Sequence, residues 1–319
     1  MSLVKSLLIH LALFIVAFAT TTLAGVQWLN KDPLELTNFS SGLPYSLLLL
    51  LVLSSHEFGH YLTARYHNVN VTLPFFIPFP SVSDLTLLNP FGTLGAVIRF
   101  RSALPSRKIL FDIAAAGPIA GFVVSLFILA AGFAFLPSKE YIYGIHPEYA
   151  RMESIPLEGQ IFGKTILYSL FAAVLPPDGS FVPPMNEMYH YPLLCVGWFG
   201  LLVTALNLIP VGQLDGGHIS HAMFGEKHDR LAQGAIFVLI VLGILGVVPE
   251  LGIDTGIGHA GWLVWALILI FLMRVLKLKR APLLDYTPLD SRRILIGWFC
   301  FLIFVVSFSP SPITVVLPP

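Results

Sequence analysis

Ionisable side chains are scarce in this chain, yet three of them, His56, Glu57 and His60, fall within five positions of the largely apolar run from Leu47 to Tyr66. That juxtaposition constrains the fold more than any other feature. An apolar run of about 20 residues reads as a membrane-crossing helix. Ionisable groups inside such a helix are costly without partners, so by default they mark a site. On a helix, His56 and His60 lie one turn apart on the same face. Both imidazoles can then reach one metal ion, and Glu57, beside the first, can act as a base toward an attacking water. This is the H-E-x-x-H pattern of zinc hydrolases. At this chain's own His and Glu frequencies, a chance occurrence has a probability of roughly one in a hundred.

The rest of the sequence supplies a membrane setting. Of 319 residues, 56% are hydrophobic and 11% charged, and the mean hydropathy is +0.81. A soluble domain carries about 25% charged residues, so the chain is expected to be polytopic and embedded in a lipid bilayer. The formal net charge of zero gives no global field that would attract nucleic acid. Cys195 and Cys300 sit in apolar runs and read as packing residues rather than a bonded pair. Lys5 followed by a long apolar run, without a clear cleavage site, reads as a retained first span.

Hydropathy places spans near Leu7–Val26, Tyr45–Tyr66, Ile109–Phe135, Leu193 onward into Asn207–His218, Ala235–Val248, Trp262–Leu276 and Ile294–Phe308. The fold class expected is an all-α polytopic membrane protein of about seven helices, with a small, partly embedded β-region after the second. That β-region rests on two stretches. Residues 71–80 are apolar but carry Pro74, Pro78 and Pro80, which exclude a helix. Gly92 to Arg101 alternates Ile98 and Phe100 with Arg99 and Arg101, the period of a strand. Gly117-Pro-Ile-Ala-Gly121 offers a surface of small residues for close helix packing. Asp112 reads as an interfacial charge. The polar connection from Pro137 to Tyr191 contains a short apolar piece, Thr165 to Leu175, too short to span. Pro210 and Gly212 are expected to break the fourth helix.

Basic residues test this topology. With the N-terminus inside, fourteen of the 18 Lys and Arg fall on the cytoplasmic side, among them Arg65, Arg99, Arg101, Arg107 and the group Lys277, Lys279 and Arg280. Four, Lys31, Lys139, Arg151 and Lys164, fall outside. This positive-inside bias puts the His60 end of the second span, the β-region and Asp215 toward the cytoplasm.

Catalytic zinc takes three protein ligands and keeps one open position, so a third ligand must join His56 and His60. Asp215, His218 and His221 are the candidates in apolar context. Asp215 is favoured because it follows the helix break, is followed by Gly216 and Gly217, and would partly neutralise the metal. His10, His67, His146, His190, His228 and His259 lie near termini or in loops and are not read as ligands. Asn207, on the broken helix, is read either as a donor that steadies a developing oxyanion or the substrate, or as an amide that satisfies the broken backbone.

Three segments, H-E-F-G-H at 56–60, G-P-I-A-G at 117–121 and N-L-I-P-V-G-Q-L-D-G at 207–216, together resemble the signatures of the site-2 protease family of intramembrane metalloproteases. The stretches 74–80 and 91–99 further resemble a branch found in bacteria and plastids. The resemblance implies one zinc ion per chain held by His56, His60 and Asp215, Glu57 as catalytic base, and cleavage of peptide bonds within or beside transmembrane helices of membrane proteins. It implies a division into residues 1–43 (a first span and connection), 44–225 (the catalytic membrane core) and 226–319 (C-terminal spans). The 137–191 connection is too short for the inserted PDZ domain of some relatives, and residues 309–319 read as a short tail. A bacterial plasma membrane is the expected location, with a homo-oligomer or a regulatory membrane partner left open. Two other classes compete: a divalent-metal transporter, and a catalytically silent scaffold of the same fold. Ligands clustered toward one side and the absence of a visible repeat disfavour the transporter. Intact His56, Glu57, His60 and Asp215 disfavour the scaffold.

Overall fold

The computed structural model describes residues 3–80, 91–101, 105–248, 256–275, 285 and 287–316. Its centre is a three-helix core. Helix α3 (Arg107–Ala134) packs against α2 (Leu43–Tyr66) on one side and α6 (Pro192–Leu208) on another, with α7 (Asp215–Phe224) and α10 (Ser291–Ser307) also against it. Helix α1 (Leu3–Gln27) lies against α2.

Local chemistry sets these boundaries. Pro44 lies in the first turn of α2, where a missing N–H costs nothing. The chain leaves α2 through Asn68 at φ +56°, a left-handed exit that asparagine tolerates. Ser106 caps α3 by accepting from the Ile109 amide at 3.3 Å. Helix α6 buries Cys195, Trp198, Phe199, Leu201 and Ala205 completely. It is apolar all round because other protein surrounds it. It stops at Leu208, two residues before Pro210, as the sequence leads one to expect. Gly225 at φ +59° separates α7 from α8 (His228–Val247).

Among the described residues, four stretches are long and apolar enough to cross a membrane: Val4–Gln27, Leu36–Tyr66, Arg107–Ala134 and Asp215–Val247. Of the other three expected spans, two appear as shorter apolar helices, α6 and the Gly261–Met273 helix that contains α9 (Gly261–Ile270), and the third is the 17-residue α10. Prolines bound α6 on both sides, which limits it to 17 residues.

The expected β-region is a two-stranded antiparallel sheet, β1 (Phe75–Pro78) with β2 (Thr93–Val97). Phe75 faces Val97 and Phe76 faces Ala96, and the register shifts before Pro78. The pairing resumes at Val71 and Phe100, and the Arg101 amide donates to the Asn70 carbonyl at 2.8 Å. The sheet lies against α1 and α2. A second sheet was not expected: β3 (Gly159–Phe162), inside the long connection, pairs with β4 (Ile313–Val316) in what reads as a tail. The short apolar piece of that connection is α5 (Ile166–Val174), capped by Thr165. Between α3 and β3 lies the one-and-a-half-turn helix α4 (Glu140–Ile145).

Both cysteines are buried and free. Asp112 receives both forks of Arg293 at 2.7 Å each and also lies 3.0 Å from Nε2 of His67. Its partner is thus a residue of α10, 181 positions away along the chain. Lys277, Lys279 and Arg280 lie outside the described residues.

Candidate metal centre

The helical spacing of His56 and His60 places their Nε2 atoms 3.1 Å apart in the second half of α2. The break after α6 then delivers Asp215 as the first residue of α7. One carboxylate oxygen, Oδ2, lies 3.2 Å from Nε2 of His56 and 3.3 Å from Nε2 of His60. These three atoms form a nearly equilateral triangle. An ideal tetrahedral zinc with bonds of about 2.0 Å spaces its ligand atoms about 3.3 Å apart, so the donor set fits the ion in both chemistry and spacing. The His60 ring is oriented by its far side: Nδ1–H donates to the Ile113 carbonyl at 2.7 Å, leaving the Nε2 lone pair toward the centre. A ligating histidine is ordinarily steered by such a partner.

The glycines explain how two imidazoles fit between packed helices. A β-carbon on Gly117 would overlap Nε2 of His60. One on Gly121 would sit 3.2 Å from the β-carbon of His56, and one on Gly59 would sit 2.6 Å from the Ala116 carbonyl oxygen. The small-residue surface of α3 is therefore the seat of the two histidine rings, a role that spacing alone does not reveal. Gly216 does the same for Asp215: a β-carbon there would overlap the carbonyl oxygen of Leu208, the last residue of α6, so only glycine lets the start of α7 fold back on the end of α6.

Glu57 is 7% exposed and lines a cavity of about 750 Å³ together with His56, His60, Asp215 and Asn207. Ile98, just beyond β2, lines the same cavity. Residues 93–98 form part of the same wall, so a strand edge borders the centre. Asn207 Nδ2 lies 3.5 Å from Nε2 of His56. His218 lines the cavity but is not among the three converging groups, and His221 stands further along α7 with its ring 5.8 Å from that of His228.

A model of peptidase family M50 matches residues 44–248. The chain belongs to peptidase family M50. Among the curated relatives of this M50 chain are plant proteins. "Probable zinc metalloprotease EGY2, chloroplastic" of Arabidopsis thaliana is 31% identical over 235 residues, which cover 72% of this chain and 38% of that protein. "Probable zinc metalloprotease EGY1, chloroplastic" of Oryza sativa subsp. japonica is 34% identical over 209 residues, 65% of this chain and 32% of that one. "Probable zinc metallopeptidase EGY3, chloroplastic" of Arabidopsis thaliana is 28% identical over 304 residues, 92% and 48% respectively. The matched part spans less than half the length of each of these relatives.

Proposed function

We propose that this M50 chain is an intramembrane zinc metalloprotease that hydrolyses peptide bonds within or next to transmembrane helices of membrane-protein substrates. The observation that carries the reading is the convergence of His56, His60 and Asp215 beside Glu57, on a cavity walled by apolar helices and one strand edge. His56, His60 and Asp215 would hold the zinc, which when bound supplies Lewis-acid polarisation of the scissile carbonyl and acidification of water.

The chain's own residues account for the rest. Glu57 takes a proton from the attacking water and returns it to the leaving amine. Asn207, at the rim of the same centre, steadies the oxygen that becomes negative or fixes the substrate amide. A substrate helix hides its carbonyls in its own hydrogen bonds and must unwind before attack. The edge of β2 offers backbone groups that can pair with the unwound segment and hold it extended. The glycine at position 95, with φ +95°, leaves that edge free of a side chain.

The topology belongs to the same proposal: seven spans, the N-terminus in the cytoplasm and the centre toward the cytoplasmic side, supported by the distribution of Lys and Arg. The plant relatives bear "chloroplastic" in their own names and lend no support to the bacterial plasma membrane favoured by the sequence reading.

The test is cleavage of a single-span substrate with a glycine- or proline-weakened helix, comparing wild type with Glu57→Gln at equal bound zinc. Cleavage by wild type alone is expected. Equal cleavage by both would remove Glu57 from the mechanism, and zinc flux into sealed vesicles without cleavage would favour a transporter.

A further inference from the structure

A second group of metal-binding side chains lies in the long connection that the protease reading leaves unused. His146 follows α4, and Glu187 and His190 belong to the turn that leads into α6. Their ligand atoms meet. Nε2 of His146 and Nε2 of His190 are 3.0 Å apart. Oε2 of Glu187 is 3.4 Å from the latter and 3.8 Å from the former.

The hydrogen bonds around the group fix what faces inward. His190 Nδ1–H donates to the Trp28 carbonyl at 2.8 Å. A carbonyl can only accept, so the proton of a neutral His190 is on Nδ1 and its Nε2 presents a lone pair. His146 Nδ1–H donates to Glu148 Oε1 at 3.2 Å, so in a neutral His146 the Nε2 carries a second lone pair. Oε1 of Glu187 is occupied by the Tyr149 hydroxyl at 2.9 Å and the Asn186 amide at 2.8 Å. Oε2 is buried and accepts no hydrogen bond. With both imidazoles neutral, three electron-pair donors converge with no hydrogen between them. Glu187 is 2% exposed and His190 is fully buried, so water does not relieve the repulsion. Such an arrangement in the interior is unfavourable unless a cation completes it.

We propose that His146, Glu187 and His190 form a second divalent-metal site of zinc type, at the opposite end of α6 from the His56–His60–Asp215 centre. The three atoms share a point about 2.0 Å from each, the bond length of zinc to histidine nitrogen and carboxylate oxygen. The donor set of two imidazoles and a carboxylate suits zinc better than calcium or magnesium, which prefer oxygen. Both histidines have the outer partner that orients a ligating imidazole, a backbone carbonyl for one and a carboxylate for the other. His146 is 16% exposed, which provides an entry path and room for a solvent ligand.

The two sites stand far apart. Pro192, the first residue of α6, is two beyond His190, and Asp215 follows its last residue, Leu208; a 17-residue helix is about 25 Å long. The ion would tie the connection after α4 to the start of α6 and, through Trp28, to the end of α1. It would brace the face of the molecule remote from the peptidase centre. This inference stands whether or not the protease reading does, and its readout is metal content rather than cleavage.

The test uses the full-length protein, saturated with zinc and freed of excess by gel filtration, with metal and protein quantified on the same sample. Wild type is expected to carry two ions per chain, one for each group. His56→Ala/His60→Ala and His146→Ala should each carry one, and their combination none. His146→Cys, loaded with cobalt in the His56→Ala/His60→Ala background, should show a thiolate-to-cobalt charge-transfer band. That variant also covers the case in which His146→Ala fails to fold. One ion in wild type that His56→Ala/His60→Ala removes entirely, or a cobalt-loaded cysteine variant without the band, would overturn the site. The cluster would then be a proton-sharing hydrogen-bond network.

Discussion

Gly117→Ala is the sharpest probe of how α3 seats the metal centre. The added methyl would overlap Nε2 of His60. The ring is meanwhile held from its other side by the bond from Nδ1 to Ile113. In the metal-free chain, His60 can rotate away and give up that 2.7 Å hydrogen bond. In the metal-bound chain it cannot move without leaving the ion. Overpacking of a close-packed interior costs about 1–3 kcal/mol, and here the cost falls almost wholly on the bound state. At 1.4 kcal/mol per factor of ten, zinc affinity should drop roughly five- to hundredfold. Gly121→Ala is the internal control. Its β-carbon would stand 3.2 Å from the β-carbon of His56, a gap closed by a few tenths of an ångström of adjustment, so affinity should stay within about threefold, in line with the small effect of most tolerated substitutions. Competition of each purified variant against a calibrated chelator measures both, with circular dichroism as the check on helix content. A Gly117→Ala protein that binds zinc like wild type, or a Gly121→Ala that is the more damaged of the two, would refute the seating argument.

Three further outcomes are expected. Asp215→Asn keeps the shape of the third ligand but loses its charge; since disturbing even an outer partner of a ligand costs about 10–100-fold in affinity, zinc binding should fall by more, as the same chelator competition would show. Ser106→Ala removes the cap of α3, whose hydroxyl accepts from Ile109 at 3.3 Å; a loss of about 1 kcal/mol, with zinc content unchanged, should appear in detergent-unfolding curves. Trp198→Phe deletes the indole N–H that donates to the Gly163 carbonyl at 2.8 Å; leaving that carbonyl unpaired should cost about 1–3 kcal/mol in the same unfolding assay, and a neutral result would mean that the carbonyl finds another donor.

Which parts of this molecule can be read without coordinates follows from the range of the interactions. His56 and His60 face one point because 3.6 residues per turn is a local property of the helix, and hydropathy marked that helix as apolar. The break before Asp215 is equally local, since Pro210 cannot donate to the ladder. The strand at Gly92–Arg101 showed in its alternation, although its ladder with β1 runs only from Thr93 to Val97. The number of full-length spans did not follow from apolar runs, because a run records burial and α6 is buried by protein on all sides.

What the sequence determined by itself is therefore a set of local facts: apolar helices, a two-histidine face with a glutamate beside it, a broken helix carrying an aspartate, and a charge bias along the chain. Tertiary structure alone decided what meets what. It brought Asp215 to within 3.3 Å of residues more than 150 positions earlier, and it set His60 against Gly117. It paired β3 with a strand that reads as a tail, and it gathered His146 and His190, read from the sequence as loop histidines outside any site, with Glu187. None of these leaves a period or spacing in the sequence, because each is a contact between segments whose separation along the chain is unrelated to their separation in space.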